Sequence, residues 1–154
     1  MSTHARRGPD LLAHVLPLPG TWQELRLRLT RNNRGSIQQG YNAFSRDLRV
    51  YSFEVVTEPA DVPAALNELL ELHAARAAHT TGPRHHDYYA SAPDRAFLRE
   101  VCADLSANGL VRVCRLRVDS RVVASRIVLA AGPGLYLYHA VTRPPGLTTA
   151  SGRF

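Results

Sequence analysis

Leu110–Val141 reads "LVRVCRLRVDSRVVASRIVLAAGPGLYLYHAV", and its reading decides the fold class. The run is rich in β-branched and aromatic residues, which favour strands. Turn chemistry interrupts it twice, at Asp119-Ser120 and at Gly132-Pro133-Gly134. Tight turns join antiparallel neighbours, so the stretch predicts a three-stranded meander over about 110–118, 121–131 and 134–141. Strict alternation would put Leu135, Leu137, His139 and Val141 on one face of the last strand, with Tyr136 and Tyr138 on the other.

Working outward from the meander, the preceding residues read mainly as helix. Thr21-Trp-Gln-Glu24 has capping-box spacing and opens a helix with Trp22, Leu25 and Leu29 on one face. "RNNRG" at 31–35 predicts an interruption, and Ser36-Ile-Gln-Gln39 offers a second capping box. Ile37, Tyr41, Phe44 and Leu48 continue the periodicity, giving two helices or one broken at Gly35. "VYSFEVV" at 50–56 is a strand with Tyr51, Phe53 and Val55 on one face. Asp61 is placed to cap the next helix, whose apolar stripe is Leu66, Leu69, Leu70 and His73, fraying near His79. "TTGPRHHDYYAS" at 80–91 is a loop. Ser91 caps a further helix with Phe97, Val101 and Leu105 inward, stopped by Asn108-Gly109. The layout is a mixed α/β (α+β) fold with helices flanking a largely antiparallel sheet.

Composition narrows the function classes. The chain has 154 residues, one domain's worth, and 45% hydrophobic content, which argues against disorder. All nineteen basic residues are arginine, and the net charge is +6. That balance favours anionic ligands such as nucleotides or CoA phosphates. The arginines are dispersed and no groove-reading motif appears, which disfavours nucleic acid. No apolar run reaches the roughly 20 residues of a membrane span, so the chain reads as soluble and cytoplasmic. Cys102 and Cys114 suit buried free thiols. Adjacent His85 and His86 with Asp87 lack the spacing of a metal set, so no metal is expected.

Five stretches occur in an order that resembles a known family: "LPLPGTWQELRLRLTRNNRGSI", "YNAFSRDL", "FEVVTEPADVPAALNELLELHAAR", "DYYASAPDRAFLREVCADLSANG" and "VCRLRVDSRVVASRIVLAAGPGLYLYHA". Together they resemble the FemAB-like, cellulose-biosynthesis branch of the GNAT acyltransferase superfamily, from about Leu16 to Ala140. The resemblance implies a GNAT-like sheet over 16–141, preceded by an extension at 1–15 and followed by an irregular tail at 142–154. It also implies that a CoA-holding loop and helix should follow the strand 134–141. "TRPPGLTTASGRF" stands there instead, so the expectation is a C-terminally truncated module, impaired or inactive as it stands.

The implied reaction is acyl transfer from acetyl-CoA or another acyl-CoA to an amine or hydroxyl, on a small-molecule or glycan-precursor acceptor. A thioester carbonyl must be polarised, often by a backbone N–H. The resemblance puts that group near Ala140 and Val141, and makes Tyr138 a donor to the leaving thiolate. His139 is a candidate base, because an unperturbed imidazole titrates near 6.5. His86, Tyr88 and Tyr89 are candidates for an acceptor groove. Arg31 and Arg34 flank a helix end and are candidates for gripping an anionic acceptor or a CoA phosphate. The alternative is a non-catalytic binding or scaffold protein, self-associating through the edge of 134–141.

Overall fold

A computed structural model describes residues 15–80 and 85–144. Much of the expected extension at 1–15 and tail at 142–154 lies outside these residues, as do residues 81–84 of the loop at 80–91. The chain divides into two compact units, Met1–Ala43 and Phe44–Phe154.

In the first unit α1 spans Trp22–Arg28, and Thr21 caps it by accepting from the Glu24 N–H at 3.2 Å. The second helix, α2, spans Arg31–Arg46 and begins earlier than the sequence suggests. The break falls at Leu29-Thr30, and "RNNRG" is helical. Thr30 accounts for this: its Oγ1 accepts from Asn33 N at 3.3 Å and its carbonyl from Arg34 N at 3.0 Å. A cap six residues upstream of Ser36 wins, and a single Gly35 does not end a helix.

The second unit holds the sheet. Its strands are β1 (Tyr51–Val56), β2 (Val111–Val118), β3 (Arg121–Ala131) and β4 (Gly134–Thr142), in spatial order β1-β2-β3-β4 and antiparallel throughout. Two helices, α3 (Val62–Ala78) and α4 (Ala92–Ala107), lie between β1 and β2 in sequence. The architecture is the expected mixed α/β one. The β2–β3 turn places Asp119 and Ser120 at φ 48° and 66°, as a two-residue hairpin turn requires. Arg49 pairs with Asp119, and Asp119 N donates to Val50 O at 2.8 Å, which ties this turn to the start of β1.

The core lies between α3, α4 and one face of the sheet. Leu66 and Leu69 of α3 meet Val111, Val113 and Ile127, all fully buried. Each such side chain contributes about 1.5–3 kcal/mol of transfer free energy. Beside this core an ionic lattice joins sheet to helix. Arg115 reaches Glu68 at 2.6 Å and Glu54 at 2.8 Å, and Arg117 reaches both carboxylates at 3.0 Å.

Two faces differ from expectation. In α4, Phe97 is 67% exposed whereas Leu98 is 4% exposed, and Cys102 and Ser106 are also buried. The helix is turned by about one residue, so 98, 102 and 105 form the inner stripe. In β4 the strict alternation fails. Leu137 pairs with Val128 but Ala140 pairs with Arg126, so Tyr138 and His139 together oppose Ile127. This is a β-bulge, and the extra residue reverses the facing of the strand on either side of it. Cross-strand partners share a face. Tyr136 (opposite Leu129) and Val141 (opposite Ser125) therefore lie on the helix-covered face, with His139 two residues before Val141. Leu135, Leu137 and Ala140 lie on the other face, so the predicted grouping of Leu135 and Leu137 with His139 is corrected.

Candidate functional site

The bulge carries His139 into a cluster of rings centred on His73 of α3. A histidine on an otherwise leucine stripe must find polar partners when buried. His73, 1% exposed, finds two. Its Nδ1 lies 3.1 Å from Asp87 Oδ1, and its Nε2 lies 3.4 Å from Nε2 of His85. Around it stand His85, Tyr89, Tyr88 and His139, with ring centroids 4.8, 5.1, 6.1 and 6.1 Å away.

His139 packs edge-on against Tyr138 at 4.7 Å and Tyr89 at 5.0 Å, with Tyr88 at 5.8 Å. Burial, and then the neighbouring His73 and His85, hold its imidazole below the ordinary value. His85 is held low chiefly by burial, then by His73 and Arg76. Both rings are thus biased to the free-base form. Burial pushes the Tyr89 phenol up, and its hydroxyl has no hydrogen-bond partner among the described residues. Tyr88 is exposed, and His86 packs against it at 4.8 Å.

The segment carrying Tyr88 and Tyr89 is pinned at two points. Asp87 Oδ1 accepts from the Tyr89 N–H at 3.0 Å, and Ala90 N donates to Asp87 O at 3.4 Å. From α4, Arg95 donates to the carbonyls of Tyr89 and Ala90, each at 2.7 Å. Ser91 caps α4 by accepting from Asp94 N at 3.2 Å, fixing where the segment ends.

Of the residues singled out in the sequence, Tyr138, His139, His86, Tyr88 and Tyr89 come together here. Ala140 and Val141 follow the bulge directly. Arg31 and Arg34 belong to α2 instead, and the Arg34 guanidinium donates to the carbonyls of Arg26, Leu27 and Leu29 at 3.4, 3.3 and 3.0 Å, covering the C-terminal end of α1. Sequence reading missed His73 and the part played by Asp87 and His85. The available signal was the histidine itself, on a stripe where leucine would have sufficed.

A separate cleft of about 350 Å³ opens beside the end of β4, lined by Glu68, Glu71, Arg117, Arg121 and Arg143, among others. Arg143 Nε is buried there without a partner among the described residues.

A protein-family model described as an acetyltransferase (GNAT) domain matches residues 31–147. The chain belongs to this family. The match covers most of the chain and contains the whole ring cluster and the bulge, so the GNAT domain is an acyltransferase fold with these residues inside it. No curated protein and no solved structure matches the chain. No helix among the described residues is long and apolar enough to cross a membrane.

Proposed function

We propose that this GNAT domain transfers an acyl group from acyl-CoA, with acetyl-CoA the first to test, to an acceptor held at the β4 bulge. The carrying observation is the bulge at Tyr138-His139, facing a ring-lined cluster that can shelter an acceptor. A bulge leaves part of the strand's backbone outside the ladder. Beyond the bulge β4 is an edge strand, and an outward backbone N–H near Ala140 and Val141 would meet the thioester oxygen as negative charge develops on it. His139, biased neutral, takes a proton from the attacking group as it adds to the carbonyl, and Tyr138 supplies one to the departing thiolate. His86, Tyr88 and Tyr89 wall the acceptor. Arg121 and Arg143 offer donors to the CoA phosphates from the neighbouring cleft. Resemblance to the FemAB-like branch supports a small-molecule or glycan-precursor acceptor.

Thiol release from acetyl-CoA, measured with the full chain across a panel of amines and amino sugars, tests this. His139→Gln should lower kcat/KM by about 10²-fold, and Tyr138→Phe should lower kcat. Acceptor-dependent turnover that ignores both substitutions would place the chemistry elsewhere.

A further inference from the structure

Forming an amide from an ammonium and a thioester releases two protons. One leaves on the CoA thiol and the other must reach water. The route through His139 and Tyr138 accounts for the proton lost as the nucleophile adds. The ammonium must lose another beforehand, and the geometry around His73 supplies a base for it.

Asp87 as a carboxylate only accepts hydrogen bonds. The 3.1 Å contact therefore puts a hydrogen on Nδ1 of His73. In neutral His73, Nε2 then carries the lone pair. The ring facing it across 3.4 Å must donate, so His85 bears its hydrogen on Nε2 and its lone pair on Nδ1. One carboxylate thus sets the tautomers of two imidazoles. The Tyr89 N–H in turn fixes Asp87. Among the described residues, the titratable and charged groups facing this chain are Arg76 from α3, His86, Tyr88 and Tyr89 from the loop, Cys102 from α4, and Tyr138 and His139 from β4. Asp87 is the acidic side chain among these described groups, so a proton entering the chain is held against it.

We propose that Asp87, His73 and His85 form one proton-holding chain that presents Nδ1 of His85 to an ammonium acceptor as a second base, with His73 and Asp87 as positioning residues. The catalytic part rests on the acyl-transfer reading. In the step, an N–H bond of the ammonium breaks and its electron pair stays on nitrogen, which becomes the nucleophile. The proton forms a new bond to His85 Nδ1. The hydrogen on His85 Nε2 passes to His73 Nε2, leaving His85 neutral and His73 an imidazolium against the Asp87 carboxylate. The chain resets when His73 returns the Nε2 hydrogen to Nε2 of His85 and His85 releases its Nδ1 proton to water.

Two measurements on the full chain separate this proposal from the reading beneath it. Nitrogen-15 NMR of the imidazoles should find neutral His73 protonated on Nδ1 and neutral His85 on Nε2. Asp87→Asn should scramble the first, and His73→Asn, which keeps a donor for Asp87, should release only the second. With an amine acceptor, His85→Gln and His73→Asn should each lower kcat/KM by about 10²-fold at pH 7. That deficit should close as pH approaches the acceptor's own pKa, where free amine is supplied by water, while the His139→Gln deficit should persist. The opposite tautomers, or one equivalent of Zn(II) bridging the two Nε2 atoms in titration of chelator-treated protein, would overturn the chain. Correct tautomers with a pH-independent deficit in an active enzyme would overturn its role as a base and leave acyl transfer standing. If turnover is absent altogether, the NMR result still decides the chain.

Discussion

Tyr89 shows how a single residue can be at odds with its surroundings. Its ring is buried and packs on His139, yet its hydroxyl lacks a partner among the described residues. Leaving a buried hydroxyl unpaired costs about 1–3 kcal/mol. Tyr89→Phe should therefore raise stability by about 1 kcal/mol, read as a higher urea midpoint at unchanged m-value. If an acceptor supplies the missing partner, the same variant should raise the acceptor KM while leaving the KM for acetyl-CoA alone. A destabilised Tyr89→Phe would mean the hydroxyl is already satisfied. The residue scale is also where the sequence was least explicit. His139, Tyr138, Tyr88, Tyr89 and His86 could be singled out by type alone. His73 stood out only by its type on a leucine stripe, and periodicity places it there without saying what it touches. Its partners, Asp87 and His85, come from a loop 12–14 residues away, and no local pattern links the two. Arg34 illustrates the converse. A charge beside a helix end reads as a ligand grip, but the carbonyls of α1 take it up.

Secondary structure was legible at most local signals, although Asp61 stands at the N-cap of α3 without a side-chain capping bond. Thr21 and Ser91 cap as their sequences indicate, and Asn108-Gly109 ends α4 with Gly109 at φ 68°. Gly109→Ala should cost about 1 kcal/mol, seen as a lower thermal midpoint; no loss would mean the helix end can relax into another conformation. Facing was harder to read. In α4 both 97/101/105 and 98/102/105 satisfy helical spacing, and only tertiary packing chooses the second. In β4 a bulge is invisible to alternation, because it consists of one extra residue relative to a partner strand. The same strand is an edge, paired only with β3 among the described residues, and Leu135 and Leu137 are exposed on the face away from α3. An uncharged apolar edge invites pairing with a second copy. Leu137→Lys should shift the chain toward monomer on sizing chromatography at high concentration. An unmodified chain that already elutes as a sharp monomer would show that this edge is protected.

At the scale of the whole molecule, two half-buried imidazoles make stability depend on pH. His85 and His139 both have folded-state values below the ordinary one, chiefly through burial. In the unfolded chain each histidine titrates near 6.5. As pH falls through that value the unfolded state takes up protons that the folded state resists. The neutral rings therefore contribute stability that is fully present above about pH 6.5 and is lost as pH falls toward their folded values. A second loss begins lower. Burial works against Glu54, but Arg117 and Arg115 hold its carboxyl below the ordinary 4.5, and the Arg49 hydrogen bond holds Asp119 below 3.8. Those contributions persist until pH drops through the carboxylate range. The thermal midpoint should accordingly be level from pH 8 to 7, begin to fall as pH drops below about 6.5, and fall again through the carboxylate range below about pH 4.5. His139→Gln and His85→Gln should each flatten the first fall and leave the second unchanged, because neither touches the Glu54–Arg115–Arg117 lattice. An unmodified protein whose midpoint does not move between pH 7.5 and 5.5 would mean that the imidazoles titrate alike in both states, and that the cluster is open to water rather than packed around His73.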